Sequence, residues 1–437
     1  MMRKDKYIAL RSLNSTESEG TLDEVESSGR LWSNVSESSL KHEPGSLFGA
    51  ISLVGGTTVG AGILALPAET QASGFIASSG AIVACWIYMV ATGILLAEVN
   101  LKTLCELGNG GVSLTSMAER TLGKFGTNLS GVAYVLLHYT LLVAYISKAG
   151  ELIGNALDLP SALGITLFTL IVGGTIYTTS PRQLDFINSG LVVGVLASFF
   201  GLLVVAGSTV DISNLQVAHW DAVPKSLPVI SLAFVYHNVV PVIVTSLEGD
   251  PRKVKTAIWC GTGVPMAMFI LWNAAILGTL PVGTEQTLDP LKVLRETEPI
   301  IGPLIAGFSL LAVTTSFIGF VLGLTDFVSD YLKMPTVKRA PVPYAVALIP
   351  PLGMAIFFQD LFFSALEFAG VFGVLVLFGV MPGAMAWSER YFVDKGNAGA
   401  KDAYLVPGGK VAIGALIAFA GTIIIGDVIE RVVGAVS

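Results

Sequence analysis

The sequence predicts an all-α polytopic membrane protein of about eleven transmembrane helices, folded as a five-plus-five inverted repeat with helices 1 and 6 broken. Three observations predict it. The chain is 53% hydrophobic and 13% charged, with a mean hydropathy of +0.72. Its apolar runs recur at membrane-spanning length, and two of them, five apart, are interrupted. A soluble domain carries about 25% charged residues, so lipid must be the solvent for much of this surface. The net charge of −7 argues against nucleic acid, which needs a basic face.

Residues 1–45 are rich in Ser, Glu and Asp, lack apolar periodicity, and read as a disordered tail ahead of a transmembrane domain at 46–437. The tail has no apolar core of the kind a secretory signal needs, and its acids disfavour a transit peptide. A spanning helix takes about 20 apolar residues. Eleven runs qualify: Ser46 to Ala72, Phe75 to Val99, Leu129 to Ile153, Leu159 to Tyr177, Phe186 to Ala206, Leu227 to Leu247, Ile258 to Leu280, Ile300 to Phe327, Val342 to Phe358, Leu361 to Ala386 and Val411 to Ile425. They are continuous rather than alternating, which excludes a β-barrel. Loops after even-numbered spans carry Arg120, Lys124, Arg252, Lys253, Lys255, Lys338 and further cations. Those after odd-numbered spans carry only Lys225, Lys292 and Arg295. The positive-inside rule then puts the N-terminus inside and the C-terminus outside. Cys85, Cys105 and Cys260 form no CxxC pair and no Cys/His cluster, so no metal site, disulfide framework or cofactor is expected.

The first span contains Gly55-Gly56-Thr57-Thr58-Val59-Gly60-Ala61-Gly62 and then Pro67. Glycine costs a helix about 1 kcal/mol and an interior proline about 3 kcal/mol. Pro67 also removes the hydrogen bond to the Ile63 carbonyl. The sixth span has Tyr236-His237-Asn238-Val239-Val240-Pro241, where Pro241 frees the His237 carbonyl. Close helix packing accounts for one glycine motif, but not for two breaks at corresponding positions. A five-helix repeat is odd in number, so its second copy crosses in the opposite sense, and the two broken helices meet at mid-membrane. The N–H groups near Gly62 suit a carboxylate. Free carbonyls near His237 suit an ammonium group. Both together suit an amino acid. The expected substrate site is Gly56, Thr57, Thr58, Gly60, Ala61 and Gly62 with Tyr236, His237 and Asn238.

Gly56-Thr57-Thr58-Val59-Gly60-Ala61-Gly62-Ile63-Leu64-Ala65-Leu66-Pro67 resembles the first-helix signature of the tryptophan/tyrosine permease family, within the amino acid/polyamine/organocation superfamily. Phe234-Val235-Tyr236-His237-Asn238-Val239-Val240-Pro241, the following Glu248-Gly249-Asp250, and Gly323-Leu324-Thr325-Asp326-Phe327 fit the same family. The resemblance implies the five-plus-five fold and secondary active import of aromatic amino acids, tyrosine or tryptophan, by proton symport and alternating access. Plastid-associated relatives point to a plastid membrane. The acidic tail departs from a standard transit peptide, so the plasma membrane and other organelles stay open.

Ionisable groups at membrane depth are costly and usually functional. His138 and His237 are candidates for a coupling proton, since imidazole changes charge near neutral pH. Thr314, Thr315 and Ser316 in the eighth span, and Asp326 at its end, are candidates for a coupling cation, proton or sodium. Glu69, Glu98, Lys148 and Asp326, near span ends, also read as interfacial charges, and Glu367 reads as a buried structural acid. Alternatives remain: a sodium-coupled or exchanging carrier of neutral amino acids, or a non-transporting membrane receptor. An enzyme is not expected, since no HExxH or GxSxG occurs.

Overall fold

A computed structural model of the chain describes residues 45–107, 112–207, 209–280, 289–297, 301–332, 340–358, 362–393 and 404–436. The acidic tail therefore lies outside the described residues. The described chain is helical throughout, without strands. Here inner means the face that carries Gly45, and outer the opposite face.

The first span is a bent pair, α1 (Leu47–Thr58) and α2 (Gly62–Thr70), turned by 52°. Then come α3 (Gly74–Leu107), α4 (Leu114–Leu157), α5 (Ser161–Thr178) and α6 (Pro181–Gly207). The sixth span is α7 (Val223–Ala233), a 3-10 turn at His237–Val239, and α8 (Val240–Ser246). After it come α9 (Pro251–Thr279), a short lid helix α10 (Pro290–Thr297), α11 (Ile301–Tyr331) and α12 (Pro341–Phe357). The tenth span is α13 (Phe362–Phe368), a π-helical stretch Ala369–Val380, and α14 (Met381–Ser388). The last span is α15 (Gly409–Val436). Every expected span thus has its helix. Among the described residues nine helices are long and apolar enough to cross a membrane, the bent first span makes a tenth, and α12 is the shorter eleventh.

Local chemistry sets the ends. Ser46 caps α1 by accepting from the Gly49 N–H at 2.9 Å. Asp250 caps α9 through the Arg252 and Lys253 N–H groups, with Pro251 at the first helical position. Ser113 and Ser116 form a reciprocal capping box that starts α4 well before the expected Leu129. Its first turns carry Glu119, Arg120 and Lys124, which an apolar criterion passes over, and the helix kinks at Gly123 (φ +66°) before entering the membrane. The π-helical stretch of the tenth span has no sequence signal either, because its residues are apolar all round.

The packing follows the inverted repeat. The first span lies on α9 while the sixth lies on α3, so spans 1 and 7 pair as 6 and 2 do. Likewise α6 packs on α11 as the π-helical stretch packs on α4. The outer halves α2 and α7 lie directly against each other. Above them α10 packs on α2, with Leu291 and Leu294 buried. Lys148, near the outer end of α4, pairs with Glu151 at 2.9 Å and with Asp289, the residue before α10, at 3.6 Å.

Candidate functional site

The two breaks meet, though not as the prolines suggested. Helix α2 runs through Pro67 without interruption, and the first break falls at Val59–Ala61. In the sixth span the His237 carbonyl is taken by the Val240 N–H, so Pro241 does not leave it free. The open carbonyls lie one turn earlier. Ser231 and Leu232 accept from Phe234 and Val235, but the carbonyls of Ala233, Phe234 and Val235 accept no backbone hydrogen bond. On the facing chain Val59 donates to Gly55, Ile63 to Gly60 and Leu64 to Ala61, while the N–H groups of Gly60 and Gly62 have no backbone partner. A Cβ on Gly62 would come within 3.0 Å of the Ala233 Cα, so the open donors and open carbonyls are neighbours. One helix end of each polarity borders the same small volume, and a zwitterion fits that pairing.

The remaining N–H of the first break, Ala61, donates to Ser316 Oγ on α11 at 2.8 Å. A Cβ on Gly60 would sit 2.7 Å from that hydroxyl, so glycine permits the approach. The Tyr145 hydroxyl on α4 faces the same serine. Ser316 thus ties the first span to the third and eighth. Its neighbours do otherwise: Thr314 and Thr315 donate to the backbone carbonyls of Leu310 and Ala312 on their own helix. Thr57 and Thr58 likewise donate to Leu53 and Val54. Gly56 has open space where a Cβ would be, and Gly56 and Asn238 are exposed.

The second break is built of side chains. Tyr236 and His237 are fully buried. The Tyr236 hydroxyl donates to the Met89 carbonyl on α3 at 3.0 Å, in a space that exists because residue 93 is glycine. His237 Nε2 lies 2.9 Å from Thr92 Oγ1, and its ring stacks on Phe378 of the π-helical stretch at 4.9 Å. His138 sits elsewhere. Its Nδ1 bonds the Tyr134 carbonyl at 2.8 Å, and its ring lies against Phe320, with Nε2 near Gly323. Gly323 is two turns inward of Ser316, roughly 10 Å along the helix. Asp326 is further inward and exposed.

A buried charge cluster at the inner end escapes the sequence reading. Glu98 and Arg390 are not interfacial: they are 1% and 0% exposed and form a bidentate pair at 2.7 and 2.6 Å. The Leu405 N–H also donates to Glu98, and the Tyr404 ring covers the guanidinium at 4.3 Å. Arg120 pairs with Glu389 beside it. Lys148 is buried too, in the outer pairing described above. Glu367, expected to be buried, is partly exposed and pairs with Arg431 at 3.2 Å. The signal for the inner cluster is the excess of inner cations, which by itself marks only orientation. A cavity of about 1510 Å³ runs among α4, α11, α12, the outer tenth span and α15. Its lining includes Tyr139, Phe327 and Phe368 but no residue of either break, so the site rests on the backbone geometry instead.

Comparison with known proteins agrees with this architecture. A tryptophan-specific transport protein of Haemophilus influenzae is 28% identical over 404 residues, covering 86% of this chain and 93% of its own. A tyrosine-specific transport system of the same organism is 28% identical, covering 78% and 88%. A glutamine transporter of Aliivibrio fischeri is 25% identical, covering 87% and 99%. Among solved structures, a Na+-coupled sialic acid symporter in a substrate-bound outward-open state aligns with a TM-score of 0.59 at 14% identity, over 92% of each chain. The inward-facing conformation of Mhp1 aligns at 0.53 and 16%, over 80% of this chain and 77% of that one. These two share the fold. The model of the tryptophan/tyrosine permease family matches residues 43–427, and the chain belongs to that family.

Proposed function

We propose that the protein is a proton-coupled symporter of aromatic amino acids, tyrosine or tryptophan, working by alternating access. The observation that carries the reading is the meeting of open N–H groups at Gly60 and Gly62 with open carbonyls at Ala233, Phe234 and Val235. The first set receives the substrate carboxylate and the second its ammonium group. Gly56, Thr57, Thr58 and Ala61 shape the inner approach on one chain, and Tyr236, His237 and Asn238 do so on the other. The relatives named for tryptophan and tyrosine support an aromatic substrate. The relative named for glutamine keeps the side chain a matter for measurement.

The outer halves α2 and α7 are largely buried, with α10 packed on α2, whereas Gly56 and Asn238 on the inner side are exposed. That asymmetry suits a carrier closed to the outside. Rocking of the first, second, sixth and seventh spans against the rest would reverse it. His237 is the favoured proton site, with His138 and Asp326 as more distant candidates. A sodium-coupled reading draws on Ser316, with Thr314 and Thr315 beside it, and on the Na+ coupling of the sialic acid symporter that shares the fold. Family membership makes the chain an integral multi-pass membrane protein. We assign its N-terminus to the cytosolic or stromal side, with a plastid membrane as one address.

The test is uptake of labelled tyrosine and tryptophan into proteoliposomes, with pH and sodium gradients imposed separately. An inward proton gradient alone should drive accumulation. Accumulation that follows sodium and ignores pH would replace the proton with sodium. No uptake under either gradient, with folded protein, would remove the transport reading.

A further inference from the structure

Thr92 is a polar residue in the middle of α3, and its hydroxyl makes two contacts. It donates to the Met89 carbonyl at 3.1 Å, and it lies 2.9 Å from His237 Nε2. A hydroxyl has one proton to give. With that proton on Met89, only a lone pair faces the imidazole, so Nε2 must carry the ring hydrogen. Nδ1 has no partner, although His237 is fully buried. The opposite tautomer would bury an orphan N–H at Nδ1, which folded proteins rarely tolerate. An unfilled acceptor is the cheaper defect.

We infer that Thr92 is a positioning residue: it holds His237 as the Nε2–H tautomer, so that Nδ1 is the atom that takes and releases the coupling proton. This rests on the proton-coupled reading above. The step is a simple addition. A proton from outer water binds the Nδ1 lone pair, giving an imidazolium, and later leaves to inner water, with no other bond made or broken. The ring is flanked by the faces of Tyr236 at 4.6 Å and Phe378 at 4.9 Å, and aromatic faces attract cations. The Thr92 oxygen points a lone pair at the Nε2–H.

No charged side chain competes from the packed elements. Helices α1 and α8 contain no Asp, Glu, Lys, Arg or His. Tyr236 is a titratable neighbour of the ring among the described residues, and its hydroxyl is spent on Met89. On α3 the nearest charge in sequence is Glu98, about 9 Å along the axis and already paired with Arg390.

Thr92→Val keeps the shape of the side chain but removes the oxygen that accepts from the imidazolium. The midpoint of proton-driven uptake should move to lower pH by about one unit, because a hydrogen bond to the charged form favours it. Thr92→Ser should restore the wild-type midpoint. His237→Gln should flatten the pH profile of whatever uptake remains. Solid-state NMR on ¹⁵N-histidine-labelled protein should show one histidine with protonated Nε2 and bare Nδ1 that disappears in His237→Gln. Wild-type uptake that ignores pH would fail the coupling reading itself. A pH-driven wild type whose midpoint is unchanged in Thr92→Val, or whose His237 proves protonated at Nδ1 alone, would overturn the inference and leave the coupling reading standing.

Discussion

The two broken helices solve the same problem by opposite means. The first break is made of backbone: glycines at 60 and 62 leave N–H groups open, and the Ala61 N–H reaches Ser316 in the eighth span. The second break is made of side chains: Tyr236 and His237 fold inward onto Met89 and Thr92 of the second span. Bonds of the first break therefore cross between the two groups of spans that an alternating-access carrier moves apart. The hydrogen bonds of the second stay within one group, and only the His237 ring reaches across it, stacking on Phe378 of the tenth span. The difference suggests that the first break is where motion is registered, and the second is carried along as a rigid fitting on α3.

Breaking the first break should have the largest effect. Gly62→Val would drive a branched side chain into the Ala233 backbone, which already lies within 3.0 Å of where a Cβ would stand. The outer halves would separate, and open donors and open carbonyls would part. Charge-assisted hydrogen bonds contribute about 1.5–3 kcal/mol each, so loss of two from the carboxylate should weaken substrate binding at least a hundredfold. Binding of labelled substrate to purified, monodisperse protein measures this directly. Retained affinity would mean that the carboxylate is held elsewhere.

Next in size is the clamp below the second break. Helix α3 receives the Tyr236 and His237 side chains of the sixth span at Met89 and Thr92, and is fixed at its inner end by Glu98 to Arg390. Removing one partner of a buried pair costs about 3–5 kcal/mol, whereas replacing both with apolar groups is often neutral. Glu98→Gln should lower the thermal unfolding midpoint clearly, and Glu98→Leu combined with Arg390→Met should recover most of it. If the single and double variants are equally stable, the pair is not a clamp and α3 is not the rigid mount proposed for the second break.

Much of this comparison is legible in the residues alone. Glycine and proline are local punctuation, so Gly60 to Gly62 and Tyr236 to Pro241 mark the breaks, and their five-span spacing implies the inverted repeat. What cannot be read locally is which atom each break leaves open. The prolines point to the carbonyls of Ile63 and His237. The structure keeps α2 helical through Pro67, takes up His237 in a 3-10 turn, and opens Ala233 to Val235 instead. That choice depends on how α7 meets Gly62, a contact between residues far apart in sequence. For the same reason Glu98 reads as an interfacial charge. Its partner Arg390 lies 292 positions away, and no local pattern pairs them. The Ser316 bond to Ala61 is also out of reach, although a run of hydroxyls at 314 to 316 marks the right turn of the helix.

A smaller contrast separates the hydrogen bonds at the two breaks. Ser316→Ala removes the acceptor of the Ala61 N–H and leaves that donor without a partner, which costs roughly 1–3 kcal/mol. Because the bond crosses between moving groups, the loss should appear in transport: a several-fold change in uptake rate, larger than any change in thermal midpoint. Tyr236→Phe is the milder counterpart. It removes one donor from the Met89 carbonyl, but Thr92 still donates there at 3.1 Å, so no acceptor is orphaned. The aromatic ring remains against Gly93 and His237, and packing is kept. The expected cost is therefore at the low end for a hydrogen bond, about 0.5–1 kcal/mol. Since this bond lies within one group of spans, the loss should lower the thermal midpoint slightly and leave the uptake rate nearly unchanged. Measuring both quantities on both variants gives the comparison its sharpest form. Uptake must respond to Ser316→Ala and not to Tyr236→Phe. If Tyr236→Phe slows transport as much as Ser316→Ala does, the second break also changes its contacts during the cycle, and the division into a moving contact and a rigid fitting is wrong.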